Sequence, residues 1–326
     1  MPTSTDPVAF HRMLLNDGVR MEAYRRAILQ TVKLGDTVLD AGSGSGILAI
    51  FACQAGASRV YAVERGPVIR AARELGRANG FADRIVFLNQ DVNEVEVSDR
   101  VDVIVSELIG KGVLGQAMAE ITGLCRDRFL RPGGRMIPDR VDLWVAPAES
   151  LDVYSRTRLP ERDTWGVDFS RLQWYSSNVP ISARVPAAAL LAGAQMAYSY
   201  RALSSPLVDL VDADLVFSVE REGILHGLAA WFSSLLADGV ELSNYPPGIN
   251  CWDNLVFPLP EPVQVSAGTE IALHLRGKCD AQRPVVWVWD TAVRRNGNTI
   301  AEYRQSTFFA QLLSPEATRQ KVRSND

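Results

Sequence analysis

Cysteine is scarce. Four residues, Cys53, Cys125, Cys251 and Cys279, are scattered along 326 positions, and none forms a CxxC pair. A disulfide framework and a structural zinc site are both excluded on these grounds. Free thiols in a reducing, cytoplasmic setting are the expectation. Histidine is scarcer still: His11, His226 and His274 have no ligand spacing, so no metal is expected. Basic residues are not in excess, with 34 Lys and Arg against 38 Asp and Glu, and they form no run. Nucleic acid, which selects for a basic face, is therefore not an expected partner. No apolar stretch approaches the ~20 residues needed to cross a bilayer. The opening MPTSTDPVAF lacks the basic and apolar regions of a signal peptide, so no membrane association is expected either.

What remains is ordinary globular composition, 47% hydrophobic and 22% charged. The length suits two domains of roughly 150 residues each. The first part alternates. A helix over 17–30 is followed by a short apolar strand at 37–40, a helix over 47–55, a strand at 59–64 and a helix over 67–79. Strands at 85–88 and 101–106 and a helix over about 115–129 continue the series. Alternating strand and helix predicts a parallel sheet covered on both faces, a Rossmann-like α/β domain. After Arg131-Pro132-Gly133-Gly134 the style changes. Strand-forming runs at 141–145, 215–219, 227–236, 264–265, 271–275, 284–290 and 307–313 are spaced by Gly, Pro, Asn and Asp turns. That is the signature of an antiparallel barrel or sandwich. The expected division is 1–137 and 138–326, with an aromatic-rich insertion at about 160–183 holding Trp165, Phe169, Trp174 and Tyr175.

The densest motif is VLDAGSGSGIL at 38–48. Glycines between strand and helix let the backbone turn sharply and let a ligand approach main chain with no Cβ in the way. A glycine-rich turn alone also fits a dinucleotide. Two details separate the possibilities. The spacing is D-x-GxGxG, tighter than GxGxxG, and Asp40 ends the strand beside the loop. That carboxylate repels a pyrophosphate but suits the cationic methionine part of S-adenosyl-L-methionine. Glu64 ends the next strand, where an acid accepts hydrogen bonds from ribose hydroxyls. The plainer alternative makes Asp40 a helix cap and Glu64 a surface charge.

Residues 13–139 resemble the protein arginine methyltransferases. The matching segments are LLNDGVR at 14–20 with Tyr24, the loop at 40–48, and residues 51–57, 60–64, 101–110 and 132–140. More loosely, 226–232, NCWDN at 250–254 and GTEI at 268–271 resemble that family's β-barrel landmarks. The resemblance implies that Arg20 pairs with the methionine carboxylate, a contact suited to a guanidinium fork. It implies that Gly42, Ser43 and Gly44 line the methionine, Glu64 the ribose, and Val92 and Asn93 the adenine. It also implies that the insertion at 160–183 is a dimerisation arm and the assembly a homodimer.

The family holds a guanidinium between two glutamates. Glu107 stands for the first, whereas Gln116 occupies the position of the second. The family's threonine–histidine–tryptophan segment reads Asn250-Cys251-Trp252, and only about a dozen residues precede the match, without the family's aromatic N-terminal element. Glu107, Gln116, Cys251 and Trp252 are thus the expected catalytic set. Cys251 reads either as a weak base or as a packing residue. Exchanging a charge-assisted contact for a neutral one removes roughly 1.5–3 kcal/mol, or about ten- to a hundredfold in holding a cation. Glu120, four residues past Gln116 on the same helix face, either replaces that charge or is a solvated surface residue. Three functions follow: methylation of a guanidino group on a peptide or small molecule; N-, O- or C-methylation of another small molecule on the same fold; or a catalytically silent homologue that regulates an active enzyme.

Overall fold

A computed structural model describes residues 8–110, 112–114, 117–160, 165–246, 250–280 and 283–310. Two helices come first, α1 (Ala9–Leu15) and α2 (Gly18–Thr31). Asp17 starts α2 by accepting the Arg20 backbone N–H at 3.0 Å, so one orphan donor of the first turn is satisfied. Five strands then pair in parallel: β1 (Thr37–Ala41), β2 (Arg59–Val63), β3 (Ile85–Leu88), β4 (Val101–Ser106) and β5 (Leu130–Ile137). Their order is β3-β2-β1-β4-β5. The helices α3 (Ile47–Gln54), α4 (Ile69–Ala78) and α5 (Met118–Phe129) make crossovers that parallel pairing requires. Val38, Leu39, Val103 and Ile104 are fully buried, as expected of central strands covered on both faces. The chain runs outward from β1 to β3 and returns to lay β4 on the other side of β1. That reversal opens a crevice at the C-terminal ends of β1 and β4, where open α/β sheets take their ligands.

From β6 (Arg140–Ala148) onward all pairing is antiparallel. One sheet has the order β7-β12-β10-β6-β8, with β11 on β10, and the other has the order β15-β14-β13-β9. Their strands are β7 (Ile181–Ala183), β8 (Gln195–Arg201), β9 (Asp209–Ser218), β10 (Gly223–Ala237), β11 (Val240–Ser243), β12 (Asn254–Val265), β13 (Glu270–Asp280), β14 (Arg283–Arg295) and β15 (Asn298–Ser306). The sheets close on aromatic side chains. Phe257 of β12 meets Trp287 and Trp289 of β14 with ring centroids 5.2 and 5.4 Å apart, near the favoured separation for aromatic pairs. The architecture is a Rossmann-like domain followed by a β-barrel-like domain.

The tract 131–134, after which the pattern changes, lies within β5, which carries Pro132 and both glycines at the sheet edge. Two expectations change. The helix expected from 115 begins at Met118, because Ala117 takes a left-handed conformation at φ 51° and interrupts the helical path. The strand expected at 307–313 lies earlier, as β15; residues 307–310 form turns and 311–313 fall outside the described residues. The insertion between β6 and β8 carries α6 (Leu151–Thr157), α7 (Ser170–Ser176) and β7. Trp165, Leu172 and Trp174 on it are exposed.

Candidate active site

Helix α2 carries the central charge of the site. Arg20 is 5% exposed, one turn into the helix that Asp17 caps. Its Nη2 and Nε donate to one oxygen of Glu107 at 2.6 and 3.0 Å. The other Glu107 oxygen accepts the Ile109 N–H at 3.2 Å. Burial works against the Arg20 charge, but Glu107 more than restores it, so the guanidinium is held above its ordinary range. The guanidinium also lies 6.0 and 5.9 Å from the ring centroids of Tyr24 and Trp252, within cation–π reach. Tyr24 anchors that wall by donating to the Ser106 carbonyl at 3.2 Å.

The loop after β1 forms the opposite wall. Gly42 and Gly44 have φ of 77° and 51°, and a Cβ on them would come within 2.9 Å of Leu108 and His11. Both the left-handed backbone and the close approach require glycine. Between them, the Ser43 hydroxyl is buried with no hydrogen-bond partner among the described residues. Glu64, past β2, accepts from Gly44 N–H at 3.1 Å and Gly66 N–H at 2.6 Å. Farther along, Arg128 of α5 donates to the carbonyls of Val92 and Asn93 at 3.2 and 2.8 Å, fixing the segment after β3.

These residues share one cleft of about 880 Å³. Arg20, Gly42, Ser43, Gly44, Glu64, Val92 and Asn93 line it together with Glu107, Cys251 and Trp252. Asp40 does not. It is fully buried behind the loop, where one oxygen accepts Ala49 N–H at 3.1 Å and the other has no partner among the described residues. It sits under the loop it is expected to flank, and this burial pushes its carboxyl up to about 7. Gln116 lies outside the described residues. Burial, then the neighbouring Asp17, pushes the Cys251 thiol up to about 12, which holds it protonated. Its backbone N–H donates to Asp17 at 2.7 Å, while Trp252 Nε1 donates to the Ile109 carbonyl at 3.1 Å. The first ties the barrel side to the start of α2 and the second to the segment after β4.

Two residues escape a motif reading, His11 on the cleft wall and Arg128 outside its lining. His11, on α1, packs against Gly44, and burial pulls its imidazole below the usual range. Arg128 lies a whole helix away in sequence from the segment it fixes. The one available signal for His11 is its place less than two turns before the Asp17 cap.

The residues fit S-adenosylmethionine. Arg20 is a cation for its carboxylate, the glycine loop offers bare main chain and an unpartnered hydroxyl, and Glu64 is an acceptor at the end of β2. A parallel sheet bearing this D-x-GxGxG loop at its switch point defines an S-adenosylmethionine-dependent methyltransferase. Residues 24–137 match the family model for ribosomal protein L11 methyltransferase (PrmA), and 204–304 match that for the PRMT5 oligomerisation domain. Protein arginine N-methyltransferase 6 of Xenopus tropicalis is 32% identical over 278 residues, covering 81% of this chain and 82% of that protein. A probable protein arginine N-methyltransferase 6 of Arabidopsis thaliana is 33% identical over 69% of this chain and 54% of its own. Among solved structures, protein arginine methyltransferase 10 of Arabidopsis thaliana aligns with a TM-score of 0.80 at 25% identity over 91% of this chain and 96% of that one. The Trypanosoma brucei PRMT1 enzyme–prozyme complex with AdoHcy shares the fold, with a TM-score of 0.84 at 23% identity over 92% and 97% of the two chains. The chain belongs to the protein arginine N-methyltransferase family.

Proposed function

We propose that the methyl acceptor is a guanidino nitrogen, of an arginine in a peptide or of a small molecule. The observation that carries this reading is the buried pair of Arg20 and Glu107. Removing one partner from a buried ion pair leaves an uncompensated charge and costs about 3–5 kcal/mol. A ligand set that opens the pair must therefore bring an anion to Arg20 and a cation to Glu107. The carboxylate of S-adenosylmethionine supplies the first, and a guanidinium the second. When bound, S-adenosylmethionine supplies an electrophilic methyl group on sulfur. The chain's residues position and neutralise: Arg20 holds a carboxylate, and Glu107, fixed by Ile109 N–H, orients the acceptor and lowers the cost of its charge. Gly42, Ser43 and Gly44 cradle the methionine part, Glu64 the ribose, and Val92 and Asn93 the adenine. Asp40 supports the loop from below. Trp252 and Cys251 wall the acceptor side.

The division at 137/138 is proposed as the domain boundary, supported by the change from parallel to antiparallel pairing there. A homodimer is proposed through the insertion at 160–183, supported by its exposed Trp165 and Trp174. A cytoplasmic setting is proposed from four free cysteines. No helix among the described residues is long and apolar enough to cross a membrane.

The test is transfer of labelled methyl from S-adenosylmethionine to free arginine, an arginine-rich peptide, simple amines and phenols, with mass spectrometry of the products. Methylated guanidine supports the reading. Transfer only to amines or phenols replaces it with a metabolite methyltransferase. Cofactor binding without transfer to any acceptor points to the silent homologue.

A further inference from the structure

The segment that follows Glu107 is bent sharply. Gly110 and Val113 form an antiparallel bridge, in which Val113 N–H donates to the Gly110 carbonyl at 3.0 Å. Leu114 N–H then donates to the Gly112 carbonyl at 2.9 Å, closing a γ-turn on Val113. Gly112 and Val113 both have positive φ, 67° and 71°. Glycine takes that conformation freely, whereas a β-branched side chain is strongly disfavoured in it. Val113 and Leu114 are fully buried. A strained backbone of this kind persists only where its surroundings over-determine it.

Those surroundings come from the barrel. At the near end of the segment, Trp252 Nε1 donates to the Ile109 carbonyl. At the far end, the six-membered ring of Trp287 lies between Gly112 and Gly277 of β13. A Cβ on Gly112 would come within 3.1 Å of that ring, and one on Gly277 would overlap it and come within 2.9 Å of Leu114. The two glycines thus make room for one indole to press on the turn. The indole is itself fixed. Phe257 meets it edge-on, and its backbone N–H donates to the Thr307 hydroxyl at 2.9 Å. Its carbonyl accepts from Thr307 N–H at 3.0 Å and from the Ser306 hydroxyl at 3.1 Å. Trp287 stands outside the cleft lining, whereas Glu107, Ile109 and Gly110 belong to it.

We infer that Trp287 is a positioning residue for methyl transfer. Its ring holds the strained turn at Gly112–Leu114, and through that turn the Ile109–Gly110 segment beside Glu107. Without the ring, Val113 is free to leave its disfavoured conformation, and Ile109, whose N–H fixes Glu107, moves with the turn. A misplacement of about 1 Å at a reacting group costs on the order of a hundredfold in rate. The cofactor side hangs on β1, β2 and α2 and does not depend on this turn. This rests on the reading above that the acceptor binds at Glu107.

The experiment compares wild type, Trp287→Phe and Trp287→Leu as full chains. Calorimetry with S-adenosylhomocysteine gives its affinity and the number of binding sites, and kcat for an arginine-rich peptide is expressed per binding site. In Trp287→Leu this kcat is expected to fall about ten- to a hundredfold. Affinity for S-adenosylhomocysteine is expected to stay within about twofold, and Trp287→Phe to keep part of the turnover. A tryptophan that only stabilises the barrel would lower the number of sites and the melting temperature but not turnover per site, so an unchanged kcat per site overturns the inference. A parallel loss of S-adenosylhomocysteine affinity also overturns it, because the ring then supports the whole cleft. Transfer by wild type only to an amine or phenol sinks the guanidino reading alone, and the same loss of kcat on that acceptor then decides for or against the clamp. A wild type that binds cofactor but methylates no acceptor overturns both. Should Trp287→Leu fail to fold, Trp287→Phe decides, with kcat per site expected to fall and an unchanged value overturning the inference.

Discussion

At the scale of single residues, the site depends on which charges are buried and what each one faces. Glu107 faces Arg20. Glu107→Gln should therefore lower kcat for a guanidino acceptor by about a hundredfold or more. Arg20 loses a competitor for the cofactor's carboxylate in that variant, so S-adenosylhomocysteine should bind as tightly as before or more tightly. Calorimetry with single-turnover kinetics reads both, and unaltered turnover would remove Glu107 from the chemistry. Asp40 gives a prediction of a different kind. Its folded carboxyl is raised to about 7 from 3.8. Between those values the folded chain holds a proton that the unfolded chain has released, so this group's contribution to stability falls as pH rises from about 4 to 7 and is flat above. Asp40→Asn cannot ionise and should lack that decline. Urea midpoints at pH 5 and pH 8 should diverge more for wild type than for the variant; identical divergence would mean Asp40 is not protonated in the fold. Sequence made these residues visible unevenly. Arg20, the glycine loop, Glu64 and Glu107 sit inside local motifs, because a helix cap and a strand-to-helix turn are written in neighbouring positions. The burial that decides the state of Asp40 and the thiol of Cys251 comes from α3 and α2, and spacing alone does not report it.

At the scale of elements, the parallel half was legible almost strand by strand. Each strand is a short apolar run, and buried parallel strands read continuously. The antiparallel half was legible in its interior and not at its edges. The core of β10 reads clearly at 227–236, yet the strand runs from Gly223 to Ala237. At the edge, β15 alternates charged and half-buried positions in NTIAEYRQS, so its signal is weak, and the more apolar tract after it drew the strand expectation instead. The insertion at 160–183 was legible from its aromatics. Its α7 is tied down from within, since Gln173 donates to the Thr157 carbonyl and accepts Leu159 N–H, each at 2.9 Å. Deleting the element would release those bonds and confuse folding with assembly. Trp165, 68% exposed, and Leu172, 53% exposed, offer a cleaner change. If the proposed homodimer forms through this insertion, wild type should be dimeric by light scattering and the double variant Trp165→Ser, Leu172→Ser monomeric. Its melting temperature, measured at low protein concentration, should change little, because exposed side chains contribute little to the isolated fold. A dimer of unchanged affinity would remove the insertion from the interface.

At the scale of the whole molecule, the parallel-sheet half and the antiparallel half are joined by a few specific bonds rather than by proximity alone. Helix α2 lies between them: Asp17 accepts from Arg20 within the helix and from Cys251 N–H of the barrel, and Gln30 donates to the Asp238 carbonyl at 2.8 Å. Trp252 reaches back to the Ile109 carbonyl beside Glu107. The Asp17 side chain, which caps the helix carrying Arg20, thus also holds the segment that leads into β12. If the two halves are coupled this way, S-adenosylhomocysteine should stabilise both, although its contacts lie mostly on one. A ligand at a hundred times its Kd adds about 2.7 kcal/mol, worth several degrees for a chain of this size. The expected result is one calorimetric transition in wild type, moved upward as a whole by the ligand. Asp17→Ala removes both hydrogen bonds from the junction and should split the transition, with the ligand raising only the part that contains the parallel sheet. Two separate transitions already present in wild type, of which only one responds to ligand, would show that the halves melt independently and that α2 merely touches the barrel.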